Sequence, residues 1–82
     1  MAYLLYVLKS QNFQKSYVGI TDDLERRLSE HNSGKSFYTK RYGPWRVIYT
    51  EQCTDVRNAR VREKYFKSAS GRKALRKIFE NL

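Results

Sequence analysis

The chain opens with a run of apolar and aromatic residues that predicts a β-strand. Residues 2–9 are rich in Leu, Tyr and Val, which suits a strand that is buried largely on both faces. Alternation along a strand places Leu4, Tyr6 and Leu8 on one face, and Tyr3, Leu5 and Val7 on the other. A polar segment, residues 10–16, predicts a turn, and residues 15–20 return as a second strand, so the two form an antiparallel hairpin. The register is not readable from the pattern, and whether Tyr6 meets Tyr17 stays open.

The pattern then becomes helical. Asp22, followed three residues later by Glu25, predicts a reciprocal capping pair and a helix that opens at Asp22. The helix is expected to end near residues 32–34, with Gly34 as a left-handed cap.

The inward stripe of this helix contains two unexpected side chains. At about 100° per residue, Arg27 and His31 share the arc that Leu24 and Leu28 mark as core-facing. A charged group on such a stripe is costly unless it is paired or edges a solvated cleft. The alternative for Arg27 is a stem that packs over the core while the guanidinium reaches water.

The segment 35–44 mixes basic and aromatic residues, with room for one short helical turn. Cations can meet phosphates and rings can stack on bases, which favours a nucleic-acid contact. The equally weighted alternative is that Phe37 and Tyr42 cover the core. Residues 45–51 predict a third strand, in which Trp45, Val47 and Tyr49 alternate with Arg46, Ile48 and Thr50.

A second helix is expected from a cap at Thr54 or Asp55 to about Lys67. Its inward stripe is predicted to hold Val56, Ala59, Arg60, Glu63 and Phe66. A carboxylate among apolar groups is disfavoured in its ionised form unless a cation or metal is near, so Glu63 is either a ligand or part of an ion pair with Arg60 or Arg27. Residues 68–71 predict a break, and Ser70 can cap a last helix over 72–82 that packs through Leu75, Ile78, Phe79 and Leu82.

Composition narrows the class of partner. The 82 residues carry a formal net charge of +9, from 17 Lys and Arg against 8 Asp and Glu, and are expected to form one small domain. Such a charge favours a polyanion, most commonly nucleic acid, although a basic protein whose charge serves solubility is an alternative. The single cysteine, Cys53, fits a reducing compartment, and no signal peptide or membrane span is apparent, so a cytoplasmic location is expected.

Several kinds of catalytic motif are missing from the sequence. It has no phosphate-cradling glycine loop, no HExxH and no paired cysteines. The remaining candidates are the hairpin tyrosines, Arg27, His31 and Glu63. Phosphodiester hydrolysis can use such a set, because it needs a carboxylate-held divalent ion, a cation for the developing charge and a group that orients or deprotonates water.

These residues also resemble a known family. The segments Leu5-Tyr6-Val7 and Tyr17-Val18-Gly19, followed by Arg27, His31 and Glu63, are similar in order and approximate spacing to the signature of the GIY-YIG nucleases. The resemblance covers essentially the whole chain. Three further stretches resemble small stand-alone bacterial members that are related to the amino-terminal nuclease domain of the excision-repair protein UvrC, namely 31–35, Pro44-Trp45 and 62–64.

The resemblance implies an α/β (α+β) fold with a small three-stranded antiparallel sheet flanked by helices. It implies a DNA nuclease in repair or processing that depends on Mg²⁺ or Mn²⁺, with Glu63 as the metal ligand. Arg27 would contact the scissile phosphate, Tyr6 and Tyr17 would position or activate water, and His31 would act as a proton-transfer or phosphate partner. Mg²⁺ suits a single carboxylate because it keeps several waters. A tyrosine base would need the metal or Arg27 to lower its pKa from about 10.

Two departures from the family pattern leave alternatives open. The first motif shares only its aromatic position, Tyr6, and the loop after Gly34 is less glycine-rich than in other small members. DNA contacts are expected from Lys35, Tyr38, Lys40 and Arg41. We expect weak sequence specificity or recognition of DNA structure, with RNA as another substrate and with a monomer or weak dimer. The rival functions are a catalytically silent nucleic-acid-binding module, a subunit of a repair complex and a basic ribonucleoprotein component.

Overall fold

The computed structural model of the protein describes residues 2–34 and 37–81, without the side chains of residues 37 and 38. Three strands form one antiparallel sheet, in the order β2-β1-β3: β1 (Tyr3–Ser10), β2 (Ser16–Thr21) and β3 (Trp45–Cys53). Four helices flank the sheet: α1 (Leu24–Asn32), α2 (Phe37–Tyr42), α3 (Val56–Phe66) and α4 (Ala69–Glu80). The predicted mixed α/β class with a three-stranded antiparallel sheet is confirmed.

The central strand β1 separates two apolar clusters, because its side chains alternate between the two faces of the sheet. Leu5 and Val7 belong to one cluster, which the buried Ala59 and Phe66 of α3 and Leu75 of α4 complete. The second cluster contains Tyr6, Leu8 and Trp45, with α1 packed against it through Leu24 and Leu28. The expected burial of β1 on both faces is confirmed, and the sheet lies between two helical layers.

The hairpin register settles the relation between the two tyrosines. Tyr17 pairs with Leu8, and Tyr6 pairs with Gly19, so the two tyrosines lie on one face, two positions apart. Their ring centroids are 6.2 Å apart. The turn between the strands is closed by the Ser10 hydroxyl, which accepts from the backbone N–H groups of Asn12 and Phe13.

A β-bulge interrupts the alternation predicted for β3. The pairing with β1 steps from Val7 and Tyr49 to Leu8 and Val47, so Ile48 has no partner in the register. As a result, Val47 packs against the Tyr6 cluster, whereas Ile48 and Tyr49 both pack against the opposite cluster. The predicted placement of Val47 and Tyr49 on one face is therefore wrong, because a bulge shifts the pleat by one residue.

Two of the predicted helix starts differ from the structure. The first helix is capped by Asp23, which accepts from the Arg26 N–H, whereas Asp22 contacts the Arg26 guanidinium at 3.4 Å. The predicted cap at Asp22 with Glu25 is wrong, because either of two neighbouring aspartates satisfies the sequence pattern. Gly34, expected as the left-handed residue after this helix, has φ +86°.

The last helix begins earlier than predicted. Its cap is Ser68, not Ser70, and its first residue is Ala69. Gly71 therefore lies inside α4 rather than in a break. A β-carbon there would lie 2.0 Å from the Tyr65 carbonyl oxygen, so the glycine permits backbone contact between α3 and α4. Leu75 is buried, Ile78 and Phe79 pack beside it as expected, and Leu82 lies outside the described residues.

The face of α3 is also only partly as predicted. The start at Asp55 and the end near Lys67 are confirmed. Ala59 and Phe66 are buried, but Val56 is 38% exposed and Arg60 lies on the exposed side. The predicted stripe is too wide, because the edges of a helix face depend on which neighbours reach it. Among the described residues, no helix has the length and apolar character needed to cross a membrane.

Candidate active site

Helix α1 brings two polar side chains, Arg27 and His31, to the Tyr6 hydroxyl. His31 is 1% exposed, and its Nε2 atom lies 3.0 Å from the Tyr6 hydroxyl oxygen. On the other side of the imidazole, Nδ1 lies 2.9 Å from Oγ1 of the buried Thr39, in α2. Both ring nitrogens therefore have a hydrogen-bond partner, which is what allows this polar ring to be buried.

The hydrogen-bond network assigns the imidazole tautomer. The Arg27 Nε–H donates to the Tyr6 hydroxyl oxygen at 3.3 Å. Because that oxygen already accepts from Arg27, we assign the Tyr6 O–H as the donor to His31 Nε2, and in this tautomer the ring proton is on Nδ1 and is donated to Thr39 Oγ1. Burial, followed by the positive charge of Arg27, lowers the pKa of His31, so the ring favours its neutral form.

Arg27 lies at the boundary between this cluster and solvent. Its side chain is 36% exposed, and besides bonding Tyr6 it lies 3.6 Å from the Glu30 carboxylate. The hydrogen bond to Tyr6, and after it the interactions with Tyr17, raise the pKa of the guanidinium. The side chain therefore does more than cover the core, because its Nε atom is held by the hydroxyl of a buried tyrosine.

The two tyrosines differ in their environment. Tyr6 is 1% exposed, and burial raises its pKa to about 12 despite the opposing hydrogen bond from Arg27. Arg27 does act to lower the pKa of Tyr6, as the sequence analysis expected of a nearby cation. Desolvation is the larger effect, so the pKa of Tyr6 is raised overall. Tyr17 is partly exposed and packs its ring 4.7 Å from the His31 ring, centroid to centroid.

Glu63 approaches the cluster from α3, in the helical layer on the other side of the sheet. Its charge raises the pKa of Tyr6, and its side chain is 24% exposed. The Oε2 atom lies 3.2 Å from the Lys67 ammonium, one turn along α3. Of the two alternatives for Glu63, the ion pair with Arg60 or Arg27 does not form, because helical spacing favours the partner at i+4 and Arg27 lies near Glu30 instead.

The donor set is suited to a hard divalent ion that retains most of its water. Glu63 is a partly exposed carboxylate whose partner, Lys67, is itself 56% exposed and can move. No group of three or more metal-ligating side chains occurs within the described residues. Mg²⁺ or Mn²⁺ fits a single carboxylate, since such ions complete their coordination with water and substrate phosphate.

The sequence analysis missed one structurally important residue, Thr39, and gave no role to another, Gly19. Thr39 is fully buried; its hydroxyl contacts His31, and its carbonyl oxygen accepts from the Trp45 indole N–H at 2.7 Å. Nothing in a polar loop pattern distinguishes this threonine, because its burial depends on the fold of α2. Gly19, noted only as part of a motif, faces Tyr6 across the strand pair.

The predicted DNA-contact residues are only partly described. Lys40 and Arg41 are exposed on α2, and the Arg41 guanidinium lies 5.6 Å from the Tyr42 ring centroid. Tyr42 packs against the Tyr6 cluster, which supports the core-covering alternative for this ring. Lys35 and the side chains of residues 37 and 38, including that of Tyr38, lie outside the described residues.

The fold and this cluster agree with the comparison to known proteins. Residues 2–77 match the family model described as the GIY-YIG catalytic domain. The chain belongs to the GIY-YIG family, a family of nuclease domains, as the resemblance in the sequence predicts.

The similar proteins include small bacterial relatives. The UPF0213 protein CPE1444 of Clostridium perfringens is 35% identical over 90% of this chain and 80% of its own. The UPF0213 protein YazA of Bacillus subtilis is 36% identical over 87% of this chain and 72% of its own. A solution NMR structure of the UPF0213 protein BH0048 of Bacillus halodurans is 30% identical, with a TM-score of 0.56 over 95% of this chain and 85% of that one.

One further relative, which matches a smaller share of this chain, has an activity in its name. A protein of Giardia intestinalis described as a structure-specific endonuclease subunit SLX1 homolog is 37% identical over 56% of this chain. The matched part is 14% of that longer protein. The similarity therefore concerns one part of that longer protein and not the whole relative.

Proposed function

We propose that the protein is a divalent-metal-dependent DNA nuclease that hydrolyses phosphodiester bonds, with low sequence specificity or with selectivity for DNA structure. The observation that carries this proposal is that the candidate catalytic side chains of β1, β2 and α1 meet in one hydrogen-bonded and stacked cluster, and that the charge of the α3 carboxylate, Glu63, acts on the pKa of Tyr6 in that cluster. In this proposal residues 1–82 act as one GIY-YIG domain, and its role lies in DNA repair or processing.

Glu63 is the proposed metal ligand, and Arg27 is the proposed phosphate contact. A Mg²⁺ or Mn²⁺ ion bound there supplies charge stabilisation for the scissile phosphate. The Arg27 guanidinium is oriented by its Nε bond to Tyr6, while the remaining N–H groups lie at a partly exposed edge. A planar guanidinium held in this way can bind two phosphate oxygens as negative charge develops.

The two tyrosines have different proposed roles because their burial differs. Tyr17, which is partly exposed, orients the attacking water. Tyr6 does not act as a phenolate, since a pKa near 12 keeps it protonated at neutral pH. The Tyr6 oxygen takes up the proton that the attacking water loses, while its own proton passes to Nε2 of the neutral His31, which lies 3.0 Å from that oxygen. Tyr6 thus relays a proton and also orients Arg27.

The experiment is digestion of supercoiled plasmid and of a branched DNA oligonucleotide by wild type and by Glu63→Gln, with Mg²⁺, Mn²⁺ or EDTA. Wild type should cut only with metal, and Glu63→Gln should lose at least about 100-fold in rate while still binding DNA. The matched control is Glu25→Gln, which removes an exposed carboxylate from α1 and should cut like wild type.

The same assay tests the rival functions. Metal-independent binding of DNA with no cutting by wild type under any condition would overturn the nuclease proposal and favour a silent binding module or a subunit of a repair complex. A parallel digestion of RNA of the same sequence measures the preference between the two nucleic acids. Cutting that survives Glu63→Gln would instead place the metal on another residue.

A further inference from the structure

A groove of about 700 Å³ runs beside the edge strand β2, next to the candidate active site. Its walls come from the hairpin turn and β2, the end of α3 and one face of α4. The buried Phe66 and Leu75 and the partly exposed Phe79 form its apolar wall, while Lys67, Arg72 and Arg76 supply positive charge. None of the described residues that line this groove is acidic, so its charged lining side chains are all basic.

The groove is continuous with the candidate active site through two residues. Tyr17 lines the groove and also stacks on His31. Lys67 lines the groove and also contacts the Glu63 carboxylate at 3.2 Å. The groove therefore begins at Tyr17 and Lys67, two residues that touch members of the candidate active site.

Two of the cations are available to a ligand. Arg72 and Arg76 are exposed, lie one helical turn apart on α4, and form no ion pair with any side chain in the described part of the protein. Lys15 also lines the groove, but its ammonium lies 5.1 Å from the Tyr42 ring centroid. Arg72 and Arg76 are thus the residues on which an anionic ligand would depend most.

We propose that this groove binds the nucleic-acid strand that continues from the scissile phosphate, with Arg72 and Arg76 on its backbone phosphates and the apolar wall beside its sugars and bases. The proposal rests on the proposed nuclease function and extends it by assigning a strand-binding surface outside the catalytic cluster. A basic groove with aromatic surface is the arrangement by which proteins hold nucleic-acid strands without reading sequence. Because the arginines of the groove contact the phosphate backbone, the groove is suited to strands of many sequences.

The test measures how DNA affinity depends on salt. Wild type, the double variant Arg72→Ala/Arg76→Ala and the matched double variant Lys73→Ala/Lys77→Ala are titrated against a fluorescein-labelled duplex of about 20 base pairs in EDTA, between about 50 and 200 mM NaCl. Both double variants remove two positive charges from α4, but Lys73 and Lys77 do not line the groove. Circular dichroism confirms that each variant is folded.

The groove variant should weaken binding about tenfold or more and flatten the slope of log K against log salt by about 1.8, since each phosphate contact contributes about 0.9. The matched variant should change the slope by less than half as much. Equal slopes for the two double variants would overturn the proposal, because the arginines would then act only through net charge. An unlabelled acidic peptide that competes for wild type and not for the groove variant, with DNA slopes unchanged, would also overturn it.

The experiment separates this proposal from the nuclease proposal, because binding in EDTA does not require cutting. If the groove variant differs from the matched variant in slope but wild type does not cleave DNA, the groove proposal is supported and the nuclease proposal is overturned. If the two double variants have equal slopes and wild type cleaves DNA with metal, the nuclease proposal is supported and the groove proposal is overturned.

Discussion

Gly19 lies directly opposite Tyr6 in the antiparallel pair of β1 and β2, and the Tyr6 ring occupies the space where a side chain would stand. A β-carbon at Gly19 would lie 2.5 Å from the Tyr6 hydroxyl oxygen and 2.9 Å from the Tyr17 ring. The glycine is therefore required by close approach, and it sets the position of the hydroxyl that Arg27 and His31 both contact.

We expect Gly19→Ala to lower the free energy of unfolding by about 1–3 kcal/mol, because overpacking displaces a buried ring. Cleavage should fall more steeply than stability, since the Tyr6 hydroxyl moves relative to Arg27. Urea unfolding and a cleavage assay at a temperature where the variant is folded measure the two effects. The control is the same change in a Tyr6→Leu background, where the two nearest atoms, both of Tyr6, are gone and only the contact with the Tyr17 ring remains, so the alanine should cost less. An equal cost in both backgrounds would show that Tyr6 is not the obstacle.

Thr39→Val should cost about 1–3 kcal/mol of stability, because it keeps the shape of the side chain but leaves the buried His31 Nδ1 without its partner. Thr39→Ser should restore most of this, since it returns the hydroxyl. The imidazole tautomer, read from the nitrogen chemical shifts of the protein's single histidine, should lose its Nδ1–H preference in Thr39→Val. An unchanged tautomer would mean that Thr39 does not orient the ring.

The pH dependence of stability should report His31. Its folded-state pKa is lowered, chiefly by burial, so the unfolded chain binds the proton more readily. The resulting stabilisation is present above the unfolded pKa of about 6.5 and is lost as the pH falls through the folded pKa. Unfolding free energies measured by urea between about pH 5.5 and 7.5 should therefore decrease toward the acid end. An NMR titration of His31 that gave a pKa above 6.5 would contradict this account.

Gly71→Ala tests the contact between α3 and α4. A β-carbon at this position would lie 2.0 Å from the Tyr65 carbonyl oxygen and 2.4 Å from the Phe66 α-carbon, which are backbone atoms that cannot rotate away. We expect a loss of at least about 2 kcal/mol, seen as a lower urea midpoint, although alanine is the better helix former. The control is Ser70→Ala, at an exposed neighbouring position of the same helix, which should be near neutral. Equal midpoints for the two variants would mean that the helices do not approach through Gly71.

The sequence predicted the strands and helices well where the pattern of residues was compatible with only one arrangement. The alternation in β1 placed Tyr6 and Leu8 correctly because each face of that strand meets a separate cluster. The prediction failed where two neighbouring residues could each cap the same helix. Asp22 and Asp23 are both good caps, as are Ser68 and Ser70, and the choice depends on how the preceding chain arrives.

The arrangement of the candidate site required long-range information. The helical period placed Arg27 and His31 on one face, and the structure brings both to Tyr6. It could not give the partner of Glu63, because a helix face fixes direction but not the rotamers that form an ion pair. Thr39 could not be found, since its burial depends on α2 packing against α1 and the start of β3.

The most direct test of the central claim, that one metal-dependent site is built from α1 and α3 across the sheet, is single-turnover cleavage of a labelled DNA oligonucleotide with saturating Mn²⁺. Wild type, Arg27→Gln, Glu63→Gln and the double variant are compared, each with its DNA affinity measured in parallel. If Arg27 and Glu63 act on one phosphate, each single variant should lose most of the rate, and the double variant should be little slower than the worse single. Wild-type rates in either single variant, or losses that multiply in the double, would contradict a shared site.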